Sequence, residues 1–189
     1  VVTLSDTLIY DQQDRIVAKI PTTQVELDPL RWLQTGRVVE SIGRIAVNRP
    51  EISLYKDKAG KWNVEELLKQ ELPENHEFKG KLTLVDGQVF IHAGAVSRTI
   101  APLAGSLDFA RNPAVKFRLT LREPERRARL YGTFTPQGQG VATLQGQNQD
   151  LESWQAFLPS EWLLTDLKGR VDSLEVTLEK KPEGLKFAG

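Results

Sequence analysis

The chain has 189 residues, with 25 Lys and Arg against 25 Asp and Glu, and it contains neither cysteine nor methionine. The even balance disfavours a general nucleic-acid or lipid-surface binder, since both carry an excess of basic residues. The lack of cysteine excludes disulfides and thiolate chemistry. No run approaches the roughly 20 apolar residues that span a bilayer. Because position 1 is Val, we interpret the chain as a processed piece of a longer protein.

Apolar and polar residues alternate along most of the chain, a pattern that predicts β-strands with one apolar and one wet face. The alternation starts at Val2 and Leu4, breaks at Asp6, and resumes through Leu8 and Tyr10. Turn signals separate further sets and predict about a dozen strands of ~5–6 residues each. Those sets are Ile16, Ala18 and Ile20; Val25 and Leu27; Ile45 and Val47; Ile52 and Leu54; Leu82 and Leu84; Val89 and Ile91; Val115, Phe117, Leu119 and Leu121; and Leu174, Val176 and Leu178.

Three short helices are predicted between the strands. Asp28 can cap the first, which Gly36 can end, and Asn63 can cap a second that runs through Leu68. The third covers residues 150–158 and stops at Pro159. Helices this short are not stable alone, so we expect them to lie on the sheet or plug its end. The tryptophans expected to cap or plug are Trp32, Trp62 and Trp154.

A weak internal repeat places one glycine between apolar residues in "FKGKL", "LAGSL", "LYGTF" and "LKGRV". The glycines are Gly80, Gly105, Gly132 and Gly169. Glycine inside a strand costs about 0.5–1 kcal/mol relative to alanine. We therefore interpret these positions as bends or bulges in a curved sheet.

Neither catalysis nor a bound metal or cofactor is predicted. The two histidines, His76 and His92, lack metal-ligand spacing. Glu65 and Glu66 suit the dipole of a helix N-terminus better than acid–base chemistry. The motif "REPERRAR" (122–129) has two interpretations, a solvated hairpin tip, which we favour, and a contact to phosphate or a lipid headgroup.

The stretch "IGRIAVNRPEISLYKDKAGKWNVEELLK" resembles the N-terminal segment of the AsmA-like and TamB (translocation and assembly module) family. There a strand reaches an Arg-Pro pair, a short strand follows, and an acidic-to-glycine turn leads to Trp-Asn and a leucine helix. The matching residues are Ile45, Val47, Arg49, Pro50, Ile52 to Tyr55, Asp57 to Gly60, Trp62, Asn63, Leu67 and Leu68. "GKLTLVDGQVFIH" resembles the next strand pair, and "LLTDLKGRVDSLEVTLEKKPEGLKFAG" a later repeat, so residues 20–95 carry most of the resemblance.

The resemblance implies a mostly β chain, a long curved antiparallel sheet that forms a taco-like groove with two or three short helices. Residues 1–75 would be the AsmA-like N-terminal portion and 76–189 the repeating strands. It further implies phospholipid transport across the periplasm of diderm bacteria, an inner-membrane anchor, and a TamA-type outer-membrane barrel as partner outside this fragment. The expected groove lining is Leu82, Leu84, Val89, Ile91, Val115, Phe117, Leu119, Leu121, Leu174, Val176 and Leu178. The alternative is a structural or protein-binding sandwich whose second sheet covers the apolar face.

Overall fold

The computed structural model describes residues 1–11, 13–57, 59–63, 78–111, 113–122, 127–135, 139–150, 152, 168–181 and 184–188. All eleven strands found there belong to one sheet. The strands are β1 (Val2–Tyr10), β2 (Ile16–Leu27), β3 (Ile42–Asn48), β4 (Glu51–Lys56), β5 (Lys81–Ala93), β6 (Val96–Arg111), β7 (Ala114–Arg122), β8 (Arg127–Phe134), β9 (Gly140–Asp150), β10 (Arg170–Lys181) and β11 (Gly184–Ala188). The prediction of a mostly β chain built on one long, mainly antiparallel sheet is confirmed.

The strand order is β1-β2-β3-β5-β6-β7-β8-β9-β10-β11, so most neighbours in sequence are neighbours in the sheet. The exception is β4, which pairs with β2 and β5, as β3 does. Both run antiparallel to β2 and parallel to β5. Together they form one long strand interrupted at Arg49-Pro50, and this strand joins β1 and β2 to the later described strands within a single sheet.

Five neighbouring strands are irregular along one line, which we call the transverse crease: Asp6 in β1, Pro21 in β2, Arg49-Pro50 between β3 and β4, Asp86-Gly87 in β5 and Ala101-Pro102 in β6. Strand pairing places these positions beside one another. Asp6, Arg49 and Asp86 have left-handed backbones, with φ of 52°, 51° and 51°, and proline has no N–H for the ladder. Irregular residues of this kind bend a strand and increase its twist, so the crease curves this half of the sheet.

The crease also keeps the apolar face continuous. Leu84 and Gly87 are three residues apart, so regular alternation would put them on opposite faces. They pair with Gly105 and Leu103, which are two residues apart on β6 and share a face. The extra residue in β5 therefore keeps the apolar residues after the crease on the same face as those before it. Without it, the apolar residues that follow would point to the polar face.

Two loops at one end of the sheet have the same hydrogen-bonding pattern. The Asp11 carboxylate accepts the N–H groups of Gln13 and Arg15, and the Asp57 carboxylate accepts those of Ala59 and Lys61, all within 3.0 Å. Asp11 also pairs with Arg15 Nε at 2.8 Å. Burial alone would raise the pKa of Asp11, but the hydrogen bonds from Arg15 and Gln13 outweigh it and hold that pKa below its usual value.

Two short helices, α1 (Pro29–Thr35) and α2 (Val38–Ser41), connect β2 to β3. Asp28 caps α1 by accepting the N–H groups of Leu30 and Arg31, and Gly36 ends it with φ of 67°, as predicted. The other predicted helices, over residues 63–68 and 150–158, lie mostly outside the described residues. In the part of the chain that the structure describes, no helix is long and apolar enough to cross a membrane.

Candidate functional site

Strand pairing puts all eleven predicted lining residues on one face of the sheet, because paired residues in neighbouring strands point to the same side. Two rows of paired residues cross the sheet on this side, which we call the apolar face. The first row is Leu4, Thr23, Val47, Leu84, Gly105, Leu119, Leu130, Leu144 and Val176. The second is Val2, Val25, Ile45, Leu82, Leu107, Phe117, Gly132, Ala142 and Leu178. Thr23 is the one polar residue in either row.

The opposite side is polar, and we call it the polar face. One row there contains five charged residues in succession: Glu26, Arg44, Lys81, Asp108 and Lys116. Arg44 and Glu26 form an exposed ion pair at 3.8 Å, of a kind that contributes little to stability. Along these rows, the sheet presents hydrocarbon to one side and charge to the other.

The apolar face is neither fully buried nor fully exposed. Val89, Ile91, Val115 and Leu121 are buried, with 6–8% of their surface exposed. The other seven predicted lining residues are half-buried. All described strands belong to one sheet, so the described residues contain no second sheet that could cover this face.

An open depression of about 330 Å³ lies on the apolar face near one end of the sheet. Phe117, Phe134 and Leu178 line it, with Gly140 and Ala142 between them and Lys180 at its border. The rings of Phe117 and Phe134 are in tilted contact, with centroids 5.9 Å apart. The depression is therefore an apolar recess with one cation beside it.

Two of the repeated glycines, Gly105 and Gly132, lie on the apolar face where the neighbouring strand leaves no room for a side chain. A Cβ on Gly132 would overlap the carbonyl oxygen of Val141, and one on Gly105 would lie 2.5 Å from Leu119 Cδ2. Neither has a positive φ. Close packing of neighbouring strands, and not a bulge, is the physical reason for glycine at these two positions, which revises our interpretation of the repeat.

Trp62 and Asn63 contact β4 along its edge, beyond the two residue pairs that join β4 to β2. The Asn63 side chain accepts the N–H of Tyr55 and donates to the carbonyl of Ser53, at 2.9 and 3.1 Å. Trp62 forms a bridge with Lys56, whose Nζ lies 5.8 Å from the indole centroid. Bridge partners share a face, so Trp62 is placed on the apolar side at the end of β4. A capping role for Trp62 stays a prediction.

The other two tryptophans predicted as plugs are placed differently. Trp32 is 50% exposed on α1, a helix with no buried side chain. Trp154 lies outside the described residues. Strand pairing places Trp62 on the apolar side, and the plugging role of Trp32 and Trp154 stays a prediction.

A stack of side chains on the polar side was not predicted. The Arg15 guanidinium lies 5.1 Å from the Tyr55 ring centroid, and Tyr55 stacks on His92 with centroids 4.9 Å apart. The His92 Nδ1 is 2.9 Å from the Ser97 hydroxyl. These contacts connect the Asp11 loop to β4, β5 and β6, and we interpret them as stabilising the fold. His76 lies outside the described residues, and no cluster of three or more possible metal ligands occurs among those described.

Neither a protein-family model, nor a curated protein, nor a solved structure matches this chain. The resemblance to AsmA-like and TamB proteins therefore depends on the quoted residues alone and stays a prediction.

Proposed function

We propose that this chain is a segment of a bridge-like lipid transport protein that conveys phospholipid across the bacterial envelope. The observation that carries the proposal is the pair of apolar rows that cross nine or more adjacent strands without an intervening charge. The open recess at Phe117 and Phe134 is itself apolar, and neither row carries a charged group that would orient one specific small molecule on this face. The face offers continuous contact for hydrocarbon.

The energetics of acyl chains favour this assignment. Each methylene removed from water is worth about 0.8 kcal/mol. A ~16-carbon chain moving through water would therefore cost about 12 kcal/mol, and an apolar sheet that shields most of it lowers that barrier without a catalyst. The half-buried state of residues such as Leu119 and Leu144 leaves them accessible to a mobile chain.

The setting we propose follows from the resemblance. The parent protein is anchored in the inner membrane, this segment lies in the periplasm, and the protein supports outer-membrane biogenesis. A TamA-type barrel protein in the outer membrane is the proposed partner, through parts outside this segment. The polar face would then be turned away from the lipid path.

A second candidate function is a protein-binding β module. Among the described strands β1 is an edge strand of the sheet, and five of its apolar side chains are 41–50% exposed: Val2, Leu4, Leu8, Ile9 and Tyr10. An apolar edge strand can recruit an extended segment of another protein by strand addition. In that case the apolar face would be covered by protein and would carry no lipid.

Lipid analysis separates the two functions. The chain is purified from cells without detergent, and bound phospholipid is extracted and counted per chain by mass spectrometry. We expect stoichiometric phospholipid in the native chain and its loss in Leu84→Asp, because a carboxylate interrupts the apolar row. Val85→Asp is the matched control, since Val85 is 40% exposed on the polar face of the same strand. Absence of lipid from the folded native chain would refute the transport proposal.

A further inference from the structure

The positive charge of this neutral chain is concentrated on two adjacent strands. Residues 114–134, which contain β7 and β8, have six Lys and Arg against two Glu. Both glutamates, Glu123 and Glu125, lie outside the described residues. Five of the cations are exposed: Lys116, Arg118, Arg122, Arg127 and Arg129. We call these five residues the basic patch.

Strand pairing puts the basic patch on the polar face. Arg118 pairs with Tyr131, and Phe117 beside it pairs with Gly132 on the apolar face. Because alternate residues along a strand share a face, Arg118 and Arg122 lie about 14 Å apart on one side. The patch is thus a broad charged area on the opposite side of the sheet from the proposed lipid path.

Lys116 faces Asp108 across β6 and β7, whereas none of the four arginines has an acidic residue directly opposite it in the described strand pairs. No ion pair involves any of its five residues in the part of the chain that the structure describes. Arg122 and Arg127 are directly paired across β7 and β8, and like charges in that position destabilise a sheet. An anion that binds beside the two arginines would reduce this repulsion.

We propose that the basic patch docks the chain onto an anionic phospholipid surface through the headgroup phosphates. Arginine binds phosphate with two parallel hydrogen bonds, and each basic residue near an anionic bilayer contributes to binding. The patch spans two paired strands, and this width suits many headgroups in one plane better than a single small anion. Tyr131, between the arginines, is a residue type enriched at membrane–water interfaces.

A nucleic-acid partner fits less well. Sheets that bind single strands present several aromatic side chains on which the bases stack. On the polar face of β7 and β8, Tyr131 is the one aromatic residue among those described. The single aromatic residue therefore favours a lipid surface over nucleic acid, and the test includes nucleic acid as the alternative ligand.

The test is flotation of the folded chain with vesicles of phosphatidylcholine alone or of equal parts phosphatidylcholine and phosphatidylglycerol. We expect the native chain to float with the mixed vesicles only. The double variant Arg118→Gln/Arg129→Gln should partition about 30-fold more weakly, or about 2 kcal/mol at 1.4 kcal/mol per factor of ten. Lys19→Gln/Lys81→Gln removes the same charge elsewhere on the polar face and should leave partition nearly unchanged.

Two results would overturn the proposal. The first is equal binding of the native chain to neutral and mixed vesicles, and the second is equal binding of the arginine and lysine double variants to the mixed vesicles. The proposal is also overturned if single-stranded DNA or polyglutamate competes the native chain off the vesicles at lower concentration than anionic lipid does. This inference does not depend on transport along the apolar face. The arginine variant should retain its copurified phospholipid, so a failure of docking and a failure of transport give different results.

Discussion

The crease can be tested at Asp86, where the backbone has a φ of 51° although the residue lies within β5. The left-handed conformation costs an ordinary residue roughly 1–2 kcal/mol, and it is worse for a β-branched side chain. Asp86 is exposed, and no hydrogen bond of its side chain is found among the described contacts. Substitution there changes the backbone preference with little change in packing.

We expect Asp86→Val to lower the free energy of unfolding by about 1–2 kcal/mol. For a chain of this length, that corresponds to a fall of about 2–8 °C in the melting temperature. Asp86→Asn should be nearly neutral, because asparagine tolerates the left-handed region. Thermal unfolding followed by circular dichroism, together with a urea titration, measures both variants.

The control is Gln88→Val, an exposed position two residues further along β5 with an ordinary strand backbone. Valine favours strands, so this variant should change stability by less than about 0.5 kcal/mol. If Asp86→Val is as stable as Gln88→Val or more stable, the left-handed backbone at Asp86 does not disfavour a β-branched residue, and the reasoning from its φ of 51° fails.

Three further predictions concern local structure. Asn63→Ala should destabilise the chain by about 1–3 kcal/mol in urea titration, because two backbone groups of β4 lose their partner; an unchanged midpoint would contradict this. Gly132→Ala should cost about 1–3 kcal/mol by the same measurement, since its Cβ meets the backbone of Val141, and a neutral result would show that β8 and β9 can separate. The lowered pKa of Asp11 means that its stabilisation is complete above the unfolded pKa, about 4, and is lost as the pH falls through the folded value. The stability difference between native chain and Asp11→Asn should therefore be full at neutral pH and shrink below about pH 4, and a difference independent of pH would be inconsistent with a bound carboxylate.

The sequence predicted most strands because alternation is a local signal. Leu174, Val176 and Leu178 alternate without interruption and lie in β10 on one face. The capped helix α1 was also predictable, since Asp28 and Gly36 are specific end signals that depend on adjacent residues only.

The phase changes and the pairing partners were not predictable in the same way. The break in alternation at Asp6 has no evident meaning within β1 alone. Its place in the crease follows only from the alignment of Pro21 and Asp86 with it across the sheet. The broken strand at Arg49-Pro50 likewise depends on β5, which comes some thirty residues later in the chain. Non-local contacts of this type leave no periodic signal in the sequence.

The most direct test of the lipid path is a photocrosslinking scan along β5 in cells that make the protein. A photoreactive residue replaces one position at a time, and adducts with labelled phospholipid are counted. We expect adducts at Leu82, Leu84 and Val89, and none at Thr83 and Gln88, so the pattern changes phase at the crease. Adducts at none of these positions, or equally on both faces, would contradict a lipid path along the apolar face.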